Sequence, residues 1–335
     1  MTHNGDSGNL STGFATSMDR RKFLAAGCAT VVPPASLAQD WPNRPIKFVV
    51  PFPPGGAADT VARELASRLQ VSLGVACLVD NRPGASGTIG VDAVVNSPAD
   101  GYTLLSHVSS IVIQPHLAAA RHNVLAELAP ITQTVAGSYV LVAHPTFPAS
   151  DLQSFVAVVK RSPGRYSYAS FGSGSGPHLA MELLKGHAGL FIVHVPFRGA
   201  GPALQELLTG RLDMAFETTF AALPHIRAGR LKPIALGGLY PSDALPGVQT
   251  IATSISGFDT DGWQGMFAPR ATPAPVVSRL AEHLTRALRD REFTQRNSDL
   301  GFRTIGSSPA NFATFVRSEY EKWGQVIRER GIRPD

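Results

Sequence analysis

The amino-acid sequence predicts an α/β protein of two domains. Its 335 residues are too many for one small core and suit two domains of ordinary size. Apolar runs of strand length alternate with helix-patterned segments in two successive blocks, the second of which begins near residue 142. This strand–helix–strand alternation is typical of right-handed βαβ units around a parallel sheet.

The first block opens with a strand and an amphipathic helix. Residues 46–52 form a continuous apolar run that ends in prolines, which predicts a buried strand of the parallel type. Val61, Leu65 and Leu69 then recur every four residues with charged residues between them, which predicts a helix. Asp59 stands where the N-cap of that helix is expected. Two more strands are predicted at residues 77–79 and 102–106.

The second block repeats the alternation, and a helical tail follows it. Strands are predicted at residues 166–170, 191–195, 213–216 and 233–236. Helices are predicted around residues 152–159, 179–184, 203–208, 276–288 and 312–327. Because no Gly/Ser-rich linker separates the blocks, we expect strands rather than a flexible tether to join the two domains.

Composition excludes several classes of protein. Apolar residues make up 44% of the chain and charged residues 16%, which is the composition of a folded protein and not of a disordered one. After residue 40 no apolar run is long enough to span a membrane. The formal charge of +5 comes from scattered basic residues, so a nucleic-acid-binding face is not expected. A mild positive field would suit a small anion, although solubility explains it equally well.

Residues 1–38 predict an export signal. Basic residues at 20–22 precede a short apolar run, and small residues follow as far as Ala38, near which cleavage is expected. The paired arginines favour the twin-arginine route, while an ordinary secretory signal and a lipoprotein site at Cys28 are alternatives, and Met18 is an alternative start. Cleavage would remove Cys28 and leave Cys77 without a disulfide partner, so we expect Cys77 to be a small buried hydrophobe.

The turn at residues 51–59 is the most informative local feature. It joins a predicted strand to a predicted helix and contains Gly55 and Gly56, which let a ligand approach the backbone closely. A helix N-terminus adds unpaired N–H groups and the positive end of the helix dipole. The segment matches neither a P-loop nor a dinucleotide-binding motif. An anion site and a mere tight turn therefore both remain open from sequence physics alone.

A second candidate loop covers residues 170–178, again between a predicted strand and a predicted helix. Its run of small residues and hydroxyls suits direct hydrogen bonding to a carboxylate. It is not a nucleophile elbow, because position 174 is Gly rather than Ser. His178 has no evident nucleophile as its partner, so a structural histidine near a helix start is favoured over a catalytic base.

No metal, cofactor or catalytic constellation is predicted. His116 and His122 have the wrong spacing for a helical metal-binding pair, and neither a Cys cluster nor paired carboxylates stand out. We therefore expect a binding protein rather than an enzyme, although spacing along the chain does not reveal residues that meet only in the fold.

An ordered series of motifs covers essentially the whole mature chain and resembles one family. The series begins with Trp41-Pro42 and with PFPPGGAAD at residues 51–59. It continues with NRPGASG at 81–87, PADGYTLL at 98–105, YASFGSGSGPH at 168–178, VPFRGAGPAL at 195–204, RLDMAFETTFAALPHIRAGRLKPIAL at 211–236, and GW followed by FAP within 262–269. The chain resembles the periplasmic solute-binding subunits of tripartite tricarboxylate transporters, also called Bug proteins.

The resemblance implies a periplasmic-binding-protein (Venus flytrap) fold with two lobes joined by two crossing hinge strands. Residues 39–140 and 266–335 would form lobe 1, and residues 141–265 lobe 2. Members bind carboxylated solutes, which include di- and tricarboxylates, acidic amino acids and aromatic acids. The implied protein is a periplasmic monomer without cofactors that closes on its solute and delivers it to the membrane subunits of the transporter (TctA/TctB-like). A sensor that signals to a membrane kinase and, less favoured, an α/β hydrolase are the alternatives.

The resemblance also implies which residues bind the ligand. The turn of lobe 1 would hold one carboxylate, partly through water, with Phe52, Pro54, Gly55, Gly56, Ala57, Ala58 and Asp59. The loop of lobe 2 would close on it with Ser170, Gly172, Ser173, Gly174, Ser175 and His178. The remaining expected site residues are Ser86, His107, Arg198, Gly199 and Glu217.

Two positions depart from the family pattern. The family commonly has Asp where Glu217 stands, and it commonly has Gly followed by small polar residues where residues 106–109 stand. His107, if it faces the cleft, would reshape selectivity or offer a donor to a second anionic group. Both departures bear on the identity of the ligand rather than on the fold.

Overall fold

The computed structural model describes residues 41–84, 87–117 and 121–333. The predicted export signal at residues 1–38 and the predicted site residue Ser86 lie outside the described residues. Within them the backbone forms two separate sheets flanked by helices, one of six strands and one of five, and each sheet is the centre of one lobe. The predicted two-lobed α/β class is therefore confirmed.

The larger sheet combines parallel and antiparallel strands. It consists of β1 (Ile46–Val50), β2 (Cys77–Asn81), β3 (Thr103–Val108), β4 (Leu128–Gly137), β10 (Gly262–Pro269) and β11 (Phe302–Thr304). The strand order is β11–β4–β10–β3–β1–β2. Strand β1 is parallel to β2 and β3, whereas β10 and β11 are antiparallel to their neighbours.

Helices cover both faces of the larger sheet. They are α1 (Ala57–Leu73), α2 (Thr88–Val95), α3 (Ser110–Ile113), α4 (Val124–Glu127), α9 (Ala274–Leu288), α10 (Arg291–Asp299) and α11 (Pro309–Arg330). Successive residues of a strand point to opposite faces. Phe48 accordingly packs into a core with Leu65 of α1, while Val49 packs into a second core with Val316 of α11. Strand β1 is thus buried on both sides, as its continuous apolar run predicts.

The smaller sheet has the strand order β7–β6–β8–β5–β9. Its strands are β5 (Tyr139–Ala143), β6 (Ser167–Ser170), β7 (Val193–Pro196), β8 (Met214–Thr218) and β9 (Lys232–Leu236). Its helices are α5 (Leu152–Arg161), α6 (Gly176–Ala188), α7 (Ala200–Leu208) and α8 (Thr219–Arg227). Strand β6 is parallel to β7 and β8, and β5 is antiparallel to β8 and β9. The loops after β6, β7 and β8 therefore leave the sheet at one edge.

The chain crosses between the sheets at two adjacent places. Strand β4 ends at Gly137 and β5 begins at Tyr139, so only Ser138 separates a strand of the larger sheet from a strand of the smaller one. The chain returns through Asp261 into β10. The hydroxyl of Ser138 donates a hydrogen bond of 2.6 Å to Oδ1 of Asp261, which ties the two crossings together.

The predicted N-cap of the first helix is wrong. Helix α1 begins at Ala57 with the extended residue Gly56 as its N-cap, so Asp59 lies inside the first turn. Its carboxylate reaches back and accepts a hydrogen bond of 2.9 Å from the Gly55 N–H. An acidic side chain stabilises a helix start either as the N-cap or from within the first turn, where it reaches back to an N–H before the helix, and spacing alone does not separate the two.

Most predicted strands and helices are present within a few residues of their expected bounds. Strands β4, β5, β10 and β11 and helices α2, α3, α4, α8 and α10 were not among the predictions. Cys77 is a free, buried thiol, as expected, and burial raises its pKa to about 11. Among residues 41–84, 87–117 and 121–333, no helix has the length and apolar character needed to cross a membrane.

Candidate functional site

A cavity of about 190 Å³ lies between the two sheets, beside the crossings. The larger-sheet lobe contributes Ala57, the end of β3 and the start of β10, and the smaller-sheet lobe contributes the loop after β6 and the start of α8. Its lining residues are Ala57, Val108, Ser109, Val135, Gly137, Ser138, Tyr139, Phe171, Thr218, Thr219, Phe220, Gly262, Trp263, Gln264, Gly301 and Phe302. None of these side chains is charged. A wider groove on the outer side of α1, α9 and α10 is open to solvent and touches only one lobe.

Two helices begin at the cavity wall. The first intrahelical hydrogen bond of α1 runs from the Thr60 N–H to the carbonyl of Gly56 at 2.9 Å, so the N–H groups of residues 57–59 precede it. Thr218 is the N-cap of α8, and its hydroxyl accepts from the Ala221 N–H at 3.3 Å. The N–H groups at the start of α1 and the positive ends of both helices favour negative charge in the space between them.

The turn before α1 is held by its own side chains. Gly55 has a φ of +83°, which favours glycine, and its N–H donates to Asp59. Arg63 donates a hydrogen bond of 2.9 Å to the same carboxylate oxygen, and Asn81 donates to the other one at 2.9 Å. Burial alone would raise the pKa of Asp59, but the hydrogen bonds from Arg63, Gly55 and Asn81 hold that pKa below its ordinary value. The buried carboxylate of Asp59 therefore holds the conformation of the turn through these hydrogen bonds. The exposed residues Pro54 to Gly56 form the outer surface of the turn.

The loop after β6 reaches from the smaller-sheet lobe to the other lobe. Phe171 lines the cavity, and Gly174, which has a φ of +74°, packs against Leu117 of the larger-sheet lobe. A Cβ at Gly174 would clash with Cδ1 of Leu117. Ser175, the N-cap of α6, carries a buried hydroxyl without a hydrogen-bond partner in the described part of the chain. The loop therefore approaches both the cavity and the opposite lobe.

Two stacked histidines form hydrogen bonds with residues of this loop. The rings of His178 and His194 lie 4.0 Å apart at an angle of 11°. Nδ1 of His178 accepts a hydrogen bond of 2.9 Å from the Gly174 N–H, and Nε2 of His194 lies 2.6 Å from the hydroxyl of Ser170. His178 is thus placed to fix the backbone of the loop, which agrees with a structural role.

His107 lies inside the larger-sheet lobe rather than in the cavity wall. Its side chain is 2% exposed, and its ring packs edge-on against Phe52 at 5.2 Å between ring centres. Nδ1 lies 2.8 Å from the carbonyl of Val108, so this nitrogen carries a proton and donates it there. Burial lowers the pKa of His107 to about 4, which makes the imidazole neutral at pH 7. It supports Phe52 and Val108 and does not present a cation to the cavity.

Glu217 is a buried carboxyl next to the cavity wall. The side chain is 1% exposed, and its Oε1 accepts from the N–H of Thr218 at 2.8 Å. Burial raises the pKa of Glu217 to about 8, so at pH 7 the carboxyl is mainly protonated. Its neighbour Tyr139 has a pKa raised to about 12, chiefly by burial, with Glu217 and Asp261 adding to the shift. The nearest ionisable groups on this side of the cavity are therefore acidic.

The other expected site residues differ in their surroundings. Arg198 is exposed, and Gly199 is the N-cap of α7 with a φ of +108°. Ala58 is buried beside Val50 and Ala62. Of the expected residues within the described part of the chain, only Ala57 lines the cavity itself.

Sequence reasoning missed most of the cavity wall. Ser138 and Tyr139 were not among the expected site residues, although the resemblance implied a change of lobe close by, at residues 140–141, and Phe302 lies on the unpredicted strand β11. Gln264 follows the Gly-Trp pair of the motif series, but a single polar residue in an apolar strand gives no local signal of a site. Within the described ranges, no group of three or more His, Cys, Asp or Glu side chains has the arrangement of a metal site.

Comparison with known proteins places these features in a family. The model of the family described as tripartite tricarboxylate transporter family receptor matches residues 61–332. Protein BugT of Bordetella pertussis is 35% identical over 315 residues, which cover 93% of this chain and 96% of BugT. The match therefore extends through both lobes.

Two solved structures are similar over nearly the whole described chain. The R. palustris protein Rpa4515 with adipate has a TM-score of 0.80 at 30% identity, and the comparison covers 88% of this chain and 100% of that one. The periplasmic binding protein BugD has a TM-score of 0.77 at 30% identity, again with 88% of this chain and 100% of that one covered.

Proposed function

Because the chain belongs to the tripartite tricarboxylate transporter receptor family, we propose that it captures a small organic anion with a carboxylate between its two lobes and delivers it to the membrane subunits of such a transporter. The solute-binding receptors of this family are not enzymes, and the proposal needs no catalytic residue. The similar structure that contains adipate supports a carboxylate as the chemical group recognised. The similarity to the periplasmic protein BugD supports export to the periplasm, with residues 1–38 as the signal.

The observation that carries the proposal is the cavity between the lobes at the starts of α1 and α8. It contains no charged side chain, so a bound carboxylate would be held by backbone N–H groups and helix dipoles. Such groups act strongly where water is excluded, because the surrounding dielectric constant is low. A small acid gains enough affinity in this way only when both lobes surround it.

Entry of the ligand requires the lobes to separate. Gly174 meets Leu117, and Gly301 meets Thr219, so the lobes are in close contact beside the cavity. We propose that the two crossings at Ser138 and Asp261 act as the hinge, and that ligand contacts from both lobes favour the closed state. Small-angle scattering with and without a saturating acid tests this motion: the radius of gyration should fall on binding.

Thermal unfolding and calorimetry with paired ligands test the binding function. Adipate, benzoate and citrate are compared with the neutral amides adipamide and benzamide. At least one acid should raise the unfolding temperature while its amide does not; a ligand at 100 times its Kd adds about 2.7 kcal/mol to stability. Stabilisation by an amide equal to that by its acid would contradict the recognition of a carboxylate.

Uptake of a labelled acid tests delivery to a transporter. Cells that lack the chain should take up the bound acid slowly, and the wild-type chain should restore uptake, whereas the Gly56→Val variant should not. Normal uptake without the chain, together with loss of a transcriptional response to the acid, would favour the sensor alternative instead.

A further inference from the structure

The wall of the cavity is aromatic and uncharged, which restricts the class of acid it can hold. Phe171 and Phe220 face it from the smaller-sheet lobe, and Trp263 and Phe302 from the larger one. The rings of Phe220 and Phe302 stack with their centres 6.0 Å apart. Flat apolar faces from both lobes therefore border the space in which the body of the ligand would lie.

A second carboxylate would find no cation in this wall. An unpaired buried carboxylate is strongly unfavourable, and the charged groups that act on Tyr139 in the cavity wall are the acids Glu217 and Asp261. The guanidinium of Arg303 does not line the cavity: it lies over the ring of Tyr240 and 3.9 Å from Asp261, in an adjoining surface pocket that shares residues Gly301 and Phe302 with the cavity. The wall therefore disfavours di- and tricarboxylates relative to acids with a single charge.

One buried polar side chain interrupts the apolar wall. Gln264 is 4% exposed and lines the cavity, and its Oε1 has no hydrogen-bond partner within the described residues. It lies opposite Val108 of β3 and Val135 of β4 in the sheet, so the amide stands between two apolar side chains on the same face. A buried amide oxygen without a partner is unfavourable, and a ligand group that donates a hydrogen bond to it removes that cost.

The size of the cavity limits the ligand further. Its volume of about 190 Å³ is below the range of about 300–1,000 Å³ that is usual for small-molecule pockets. That space suits one small acid with a ring-sized body.

We propose that this receptor selects a monocarboxylate with a flat aromatic body and one hydrogen-bonding substituent, and that Gln264 is the residue that recognises the substituent. The inference rests on the proposed function, because it assumes that the carboxylate is held between the lobes. The amide of Gln264 has both a donor and an acceptor, so a hydroxyl, which also has both, is the substituent that it matches best.

Calorimetric titration tests the selectivity of the wild-type protein. The probes are benzoate, 3-hydroxybenzoate, 4-hydroxybenzoate, adipate and citrate. At least one hydroxybenzoate should bind about tenfold more tightly than benzoate, because an unmatched buried polar group lowers affinity by about that factor or more. Adipate and citrate should bind more weakly than either. Tighter binding of adipate or citrate would overturn the inference and leave the proposed function standing, whereas no binding of any acid would overturn both.

Two glutamine variants test the role of Gln264 itself. Gln264→Leu should lose the preference for the hydroxybenzoate, so that its affinities for the hydroxybenzoate and for benzoate differ by much less than tenfold. Gln133→Leu is the matched control, because Gln133 is a buried glutamine of the neighbouring strand β4 that does not line the cavity. A preference that survives in Gln264→Leu, or that is lost equally in the control, would overturn the assignment; circular dichroism checks that both variants fold.

Discussion

The ring of Phe220, at the start of α8, stacks on the ring of Phe302, on β11, with their centres 6.0 Å apart and their planes at 28°. The two rings belong to different lobes, and both line the cavity between them. The contact therefore shows that the two lobes lie close together at the cavity and that the cavity wall is aromatic at this point.

Replacement of Phe220 by Ala should weaken binding of an aromatic acid by about tenfold, because the ligand and the closed state lose an aromatic contact worth about 1 kcal/mol or more. Calorimetry with the best-binding benzoate derivative measures the change. Phe191→Ala is the control, since Phe191 is an exposed phenylalanine of the same lobe away from the cavity. Equal affinities in the two variants would show that the ring does not contribute to binding.

Gly56→Val should abolish binding without unfolding the protein. Gly56 has a φ of −77° and a ψ of 171°, which any residue adopts, and a Cβ there would lie no closer than 3.8 Å to a neighbouring atom. The fold therefore accepts valine, whereas the anion approaching the first N–H groups of α1 would meet its side chain. Calorimetry measures the affinity and thermal unfolding the stability. Unchanged affinity in a folded variant would contradict the placement of the carboxylate.

Gly174→Ala should impair both stability and closure. The added methyl group would clash with Leu117, and the φ of +74° is unfavourable for alanine by about 1 kcal/mol. We expect at least tenfold weaker binding of the acid. The double variant Gly174→Ala/Leu117→Ala relieves the clash but not the backbone strain, so part of the affinity should return. If the double variant recovered no affinity, the clash with Leu117 would not be the cause of the weaker binding.

His178→Phe should loosen the loop of the smaller-sheet lobe, whereas His178→Asn should preserve it better. Phenylalanine retains the stacking on His194 but lacks the acceptor for the Gly174 N–H, while the asparagine carbonyl is able to replace Nδ1. Amide hydrogen exchange at residues 172–176 reports the difference directly. Faster exchange in both variants to the same extent would indicate that stacking geometry, and not the acceptor, holds the loop.

Glu217 should make stability fall as the pH rises. The pKa of Glu217 is raised by burial from 4.5 to about 8 in the folded state. Its contribution is therefore fully present below pH 4.5 and is lost as the pH rises to about 8, because the unfolded chain releases the proton first. Each unit of pKa difference corresponds to about 1.4 kcal/mol, so the total effect is several kcal/mol.

Urea unfolding of Glu217→Gln between about pH 5 and pH 8.5 checks this dependence. The variant keeps an acceptor for the Thr218 N–H but has no proton to lose, so its stability should change less with pH than that of the wild type. Glu321→Gln, an exposed position, serves as the control and should retain the wild-type slope. If the stability of Glu217→Gln changed with pH in the same way as that of the wild type, Glu217 would be excluded as the source of the pH dependence.

Local patterns were sufficient to predict the strand–turn–helix units of both lobes. Strand β1 is continuously apolar, and the spacing of Val61, Leu65 and Leu69 fixes the buried side of α1, where all three are 1% exposed or less. The glycine-containing turns lie next to these elements in the chain, so the positions of the turns could be predicted from the positions of the strands and helices.

Local patterns were not sufficient to predict the strands at the crossings or the residues of the cavity wall, because these features depend on the fold as a whole. Strand β4 carries the buried polar residues Thr132, Gln133 and Thr134 in succession, which interrupt the apolar pattern that would identify a buried strand. Tyr139, Gln264 and Phe302 are far apart in sequence; Gln264 and Phe302 meet because β10 and β11 both pair with β4, and Tyr139 joins them because β5 begins one residue after β4 ends. No spacing rule along the chain brings such residues together.

A crystal structure of the protein with its tightest-binding acid tests the central claim most directly. The account predicts electron density for the acid in the cavity between the lobes, with its carboxylate within hydrogen-bonding distance of the N–H groups of residues 57–59. It also predicts that the amide of Gln264 contacts the opposite end of the ligand. An acid bound on the outer surface of one lobe, or a carboxylate directed away from α1, would contradict it.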